Sequence, residues 1–212
     1  MNRLTLILPV ILLTLYSCEQ TTNKGQIPVE WVKFAPGDFS FKNNWSYPEG
    51  VYRNNFGQLS CDGFCPDGID LMQDKDGRIL PDSLPAFYKL IDTTHQLHSI
   101  QCDAWCYEWA GTDFITVEQP NKDTVFCATQ TNAATHCSLI LKITNEHCFP
   151  QIELNSISLS GQKSYHCTGG FIKISKELWS QGIMKAAFSF TFDHTENPGK
   201  PMFWKGNIYA KR

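Results

Sequence analysis

The stretch Asp92-Thr93-Thr94-His95-Gln96-Leu97-His98-Ser99 gathers a carboxylate, two imidazoles and a hydroxyl within a few positions. These are the groups of metal-assisted or nucleophilic hydrolysis. Their spacing limits the idea, because on an extended strand His95 and His98, three steps apart, point to opposite faces. No HExxH, G-x-S-x-G or P-loop accompanies them. A zinc site using His95 and His136 is the form a metal-assisted hydrolase would take here. Ordinary surface or hydrogen-bonded histidines are the simpler reading. From Asp62 to Asp82, six aspartates face only Lys75 and Arg78, a local concentration of oxygen ligands for a hard cation. Aligned on a calcium loop, however, Met72 and Ser83 fall where the first and last acidic ligands belong. Asp-Gly pairs also make good turns, and that reading is favoured.

Aromatic residues form the second candidate group. Trp105, Tyr107 and Trp109 alternate, so on one continuous strand their rings would share a face, with Cys106 and Glu108 on the other. Buried, such a face is core; exposed, it is a platform for sugar rings or a protein partner. Burial is the expectation, and the exposed case carries a glycan-binding alternative. Trp45 and Tyr47 offer another contact surface.

At the start of the chain Arg3 precedes an apolar run, Leu4 to Leu15, which ends at Tyr16-Ser17-Cys18 before a polar stretch. This is the anatomy of a signal peptide over residues 1–17. The segment resembles the lipobox of bacterial lipoprotein precursors: Leu15, Ser17 and Cys18 fit the pattern, while Tyr16 is bulkier than usual. The resemblance covers the targeting segment alone. It implies that Cys18 becomes the lipidated first residue of the mature chain and that several acyl chains hold it stably at a membrane. Residues 18–27 then read as the lipidated cysteine and a solvated tether, and residues 28–212 as the folded domain.

Of nine cysteines, removing Cys18 leaves eight, an even number that in an exported chain predicts up to four disulfides. Cys61/Cys65 and Cys102/Cys106 share the spacing C-x-x-x-C. Four thiolates in two close pairs would also suit a structural zinc, but an oxidising compartment favours disulfides. If residues 102–106 are extended, Cys102 and Cys106 lie about 13 Å apart and cannot bridge each other. Each motif is therefore a tight loop or half of a longer cross-link. A hairpin centred on Asn132 would set Cys127 opposite Cys137, making them a candidate pair.

The elements that must position these groups are strands. Phe188, Phe190 and Phe192 alternate with polar residues, as do Leu139, Leu141 and Ile143, then Ile152 and Leu154. Gly169-Gly170 predicts a bulge, and Ser175 caps a short helical turn running to Trp179. Less regular strands are expected at 29–34, 38–41, 86–94, 96–101 and 113–118. Long helical periodicity is missing. The fold class is thus all-β, an antiparallel sandwich with a loop-rich lobe over residues 43–84 pinned by disulfide.

With 18 Lys plus Arg against 21 Asp plus Glu and no basic cluster, the chain lacks the footprint of a nucleic-acid binder. No motif implies a cofactor. The sequence therefore predicts a non-catalytic binding or interaction module of the bacterial envelope. Its expected partners are the membrane, through the lipid at Cys18, and a protein or glycan ligand. A metal-assisted hydrolase using residues 92–98 is the rival reading.

Overall fold

A computed structural model describes residues 25–48, 50–63, 65–106, 108–129, 136–155, 162–193 and 199–212. In chain order the first strands are β1 (Ile27–Val32), β2 (Trp45–Ser46), β3 (Val51–Arg53) and β4 (Leu59–Cys61). Helix α1 (Leu84–Leu90) precedes β5 (Gln96–Leu97), β6 (Ile100–Cys106) and β7 (Glu108–Trp109). Then come β8 (Ile115–Asn121), β9 (Thr124–Thr129), β10 (Cys137–Ile143) and β11 (His147–Asn155). The chain closes with β12 (Gln162–Ser175), α2 (Lys176–Ser180), β13 (Ile183–Phe192) and β14 (Met202–Lys211).

Ten strands join in one sheet in the order β7-β6-β14-β13-β12-β1-β11-β10-β9-β8. The β-rich expectation holds, but the sheet is mixed. β1 pairs antiparallel with β11 through Ile27 and Pro28, then parallel with β12 from Val29 to Val32. That change of partner is possible because β12 is long. Its first residues pair with β11, and from Cys167 onward it pairs with β13 across a bulge between Cys167 and Gly169. The bulge falls where Gly169-Gly170 predicts it. Gly170 has φ +131°, and a Cβ there would collide with the Ser189 carbonyl. Only glycine fits such a position.

Pairing through β12 and β1 divides the sheet into two wings, and the sheet curls until its outer edges approach. Ile115 N–H donates to Ser99 Oγ at 2.7 Å, and that hydroxyl donates back to the Ile115 carbonyl at 3.0 Å. Inside the curl a single cluster of buried side chains draws on both wings, with Leu139, Leu141 and Ile152 from one and Phe190, Phe192 and Trp204 from the other. The alternating phenylalanines of β13 face this core as their period predicts, Phe188 and Phe190 stacking at 5.2 Å. Deleting one such ring would cost about 3 to 5 kcal/mol.

Three local expectations are corrected. Residues 86–94 are not a strand, because most of them belong to α1, whose Phe87 is fully buried in a second, smaller core with Leu59, Ile69, Ile79 and Ile91. A 3-10 turn at Ser40–Asn43 replaces the strand expected at 38–41, and with Phe39 it packs Phe41 beside Tyr209 on the outside of the sheet. Ser175 does precede a helical turn, but its hydroxyl donates to the Lys33 carbonyl and forms no cap.

Candidate functional site

The aromatic run at 105–109 is a reversal and not a single strand. β6 ends at Cys106 and β7 returns alongside it, so Trp109 stands opposite Trp105 and Glu108 opposite Cys106. Tyr107 lies outside the described residues, as does the side chain of Trp109. The parity of β6 is the reverse of the expectation. Ile100, Ala104 and Cys106 face the core, whereas Gln101, Asp103 and Trp105 face out. Cys106 fixes this choice because it is bonded to Cys137, at the buried start of β10.

On the outward face Trp105 pairs with Phe203 of β14, and the neighbouring register pair is Asp103 with Lys205. Lys205 Nζ is 3.0 Å from an Asp103 carboxylate oxygen and 5.1 Å from the centre of the Phe203 ring. Lys200 lies over the Trp105 ring at 4.1 Å. Trp109, Trp105 and Phe203 thus occupy three successive positions of one row, each strand about 4.8 Å from the next. Trp105 and Phe203, paired on the outward face beside Asp103 and Lys205, can stack a flat ligand and hydrogen-bond its edge.

The other wing carries a groove of about 380 Å³ on its outer face. Phe126, Lys142 and Phe149 lie side by side on β9, β10 and β11, and Ile140, Gln151 and His166 are also in the lining. Both phenylalanines are exposed, and Lys142 sits 5.8 Å from the Phe149 ring.

The histidine-bearing stretch is divided among neighbours. Asp92 accepts the Thr94 amide at 2.9 Å, and this hydrogen bond holds its carboxyl below the usual carboxylate range. His95 stacks on Trp45 at 3.9 Å, with Tyr47 edge-on at 5.1 Å. His98 turns elsewhere: its Nε2 lies 2.7 Å from Ser46 Oγ, and its Nδ1 lies 3.8 Å from Asp113 Oδ1. Among the described residues no three His, Cys, Asp or Glu side chains converge as metal ligands would. The Asp74-Gly77 segment is a turn, in which one Asp74 carboxylate oxygen accepts the amides of Asp76 and Arg78 at 2.9 Å each.

The cysteines realise both outcomes foreseen for the C-x-x-x-C motifs. Cys61 and Cys65 close a tight loop, while Cys106 reaches Cys137, 31 residues away. The pair Cys127 and Cys137 is therefore corrected: Cys127 stands opposite Leu141 and Cys137 opposite Leu154. The observed register lies four residues from that of a hairpin centred on Asn132; an even shift keeps both cysteines on the buried face, and Cys137 is bonded to Cys106 of the other wing instead. Cys127, Cys148 and Cys167 remain buried thiols and Cys102 a half-buried one. Burial pushes the Cys127 thiol up to about 12 and Cys148 well above the ordinary thiol value, with Cys127 and Cys167 adding to the latter. Burial also raises Cys102 and Cys167. Cys18 lies outside the described residues.

Comparison with family models, curated proteins and solved structures returns no match.

Proposed function

We propose that this chain is a lipid-anchored binding protein of the bacterial envelope, held at a membrane through Cys18, and that the outward face around Trp105 takes its ligand. The observation that carries the binding role is the Trp105–Phe203 register pair on the outer side of the sheet. An ordinary soluble sheet face presents polar side chains there, and an aromatic row bordered by an Asp–Lys pair is suited to contact. The anchor rests on the segment Leu15 to Cys18 and on a polar stretch long enough to hold the body clear of a bilayer. In its finer form the fold is a sandwich whose two wings are the layers, supported by one core shared between them.

The ligand we favour is a glycan. The strand spacing between Trp105 and Phe203 is comparable to the size of one sugar ring, so successive rings of a linear chain meet successive aromatic side chains. Affinity electrophoresis through polysaccharide-containing gels tests this reading. The wild-type chain should be retarded by at least one polysaccharide, and Trp105→Ala should run at the unretarded position with its fold intact. Equal retardation of both proteins would remove the face from consideration.

A further inference from the structure

We propose that Ser46, His98 and Asp113 form a separate hydrolytic site that cleaves small, unhindered esters by acyl transfer through Ser46. It goes beyond the binding role and does not depend on it. The residues come from three places: β2 supplies Ser46, the residue after β5 supplies His98, and the turn before β8 supplies Asp113. Ser46 Oγ is 2.7 Å from His98 Nε2, and His98 Nδ1 is 3.8 Å from Asp113 Oδ1. Hydroxyl, imidazole and carboxylate in that order, each on the correct ring nitrogen, are what activation of a serine requires. The carboxylate contact is longer than a hydrogen bond, and contacts of this kind commonly tighten only when substrate binds.

Main-chain hydrogen bonds frame the arrangement. The His98 amide donates to the Asn44 carbonyl at 3.0 Å, two residues before the nucleophile. The next two amides, Ser99 and Ile100, donate to the Asp113 carbonyl at 2.9 and 3.2 Å. The chain carrying the imidazole is thus tied on one side to the serine strand and on the other to the carboxylate residue itself. Phe114 packs edge-on against the His98 ring at 5.5 Å, and only 14% of that side chain is exposed. Ser46 is half-buried, while Trp45 and Leu97, the neighbouring pair of the ladder, project from its other face, so the serine's own surroundings suit a short acyl group.

In the first half of the reaction Ser46 Oγ bonds to the ester carbonyl carbon while its proton passes to His98 Nε2. Collapse of the adduct breaks the bond to the alcohol oxygen, which takes that proton as it leaves. Water then attacks the acyl-serine, giving its proton to His98. The carboxylic acid departs, and Ser46 recovers a proton from the imidazole. His98 is the base, and Asp113 is a positioning residue holding the Nδ1 proton toward itself.

Incubating the purified full chain with an alkyl fluorophosphonate, followed by peptide mass mapping, tests the proposal. Folded wild type should gain a single phosphonyl group on Ser46, with loss of fluoride, at least about 100-fold faster than urea-unfolded chain. p-Nitrophenyl acetate should release p-nitrophenol in the wild type and not in Ser46→Ala. His98→Gln, whose amide still reaches Ser46, should slow labelling by about 100-fold or more. Asp113→Asn should slow it about tenfold, with recovery in Asp113→Glu. Folded wild type that acquires no adduct at Ser46 overturns the site, as does a Ser46→Ala chain that hydrolyses the ester at the wild-type rate. Asp113→Asn labelling at full speed overturns the role of the carboxylate.

Discussion

Cys106 and Cys137 join the end of β6 to the start of β10, so a covalent bond spans the two wings of the curled sheet. Its closed loop has a sequence separation of 31, against 4 for Cys61–Cys65. Loop-closure entropy then assigns about 3 to 4 kcal/mol to the long bridge and about 2 kcal/mol to the short one. Urea unfolding of the double variants Cys106→Ala/Cys137→Ala and Cys61→Ala/Cys65→Ala should show the first as the less stable. The opposite ranking would mean that the unfolded chain is already constrained between 106 and 137.

Trp105 and Trp204 are adjacent on neighbouring strands yet face opposite ways, the second fully buried. Trp204→Ala should cost about 3 to 5 kcal/mol, as for other deleted core aromatics. Trp105→Ala, which uncovers an outward half-buried ring, should cost no more than about 1 to 2 kcal/mol. Chemical denaturation of both variants checks this, and equal losses would place Trp105 in the core.

The buried thiols make stability sensitive to alkali. Cys127 is pushed up to about 12 and Cys148 well above the ordinary value, mainly by burial. An unfolded thiol ionises from about pH 8.5 upward. The stabilisation is therefore fully present below that pH and is lost as pH rises toward the folded values. The unfolding midpoint in urea should fall between pH 8 and 10, and less so in Cys127→Ala. For the same reason a thiol reagent at pH 8 should leave Cys127 and Cys148 unmodified until the chain is unfolded.

Two adjacent glycines should behave differently. A Cβ on Gly170 meets the Ser189 carbonyl in a left-handed backbone, while one on Gly169 finds only Thr191 Oγ1 at 3.5 Å, an ordinary contact. Gly170→Ala should cost about 2 kcal/mol or more, and Gly169→Ala under about 1 kcal/mol. Thermal unfolding of the two variants decides it.

Strand content was legible where one face of a strand is buried. The period-two pattern of Phe188, Phe190 and Phe192 leaves a single way to place the strand, and it holds. At 86–94 the pattern misled, because α1 is too short for its periodicity to stand out and buries essentially one ring, Phe87, in the smaller core. The parallel seam between β1 and β12 was illegible for a different reason: nothing local in Val29 to Val32 records which partner lies 143 residues on. The alternation of the aromatic run does not tell one strand from two, because pairing Trp105 with Trp109 across β6 and β7 keeps the same period. Ser46 could not be linked to His98 from sequence, since 52 residues separate them and no motif surrounds the serine. The cysteine spacing gave more, because extended geometry alone forbids a bond between Cys102 and Cys106.

The placement of β1 has a mechanical side. Residues 27–32 enter the middle of the sheet, gripped by β11 on one flank and β12 on the other. A pull delivered through the segment ahead of Gly25 therefore loads this strand lengthwise, along its own axis. Detachment would require the whole row of paired amides on β12 to slip together, where an edge strand would peel one rung at a time. A lipid at Cys18, as proposed, would pull in this direction.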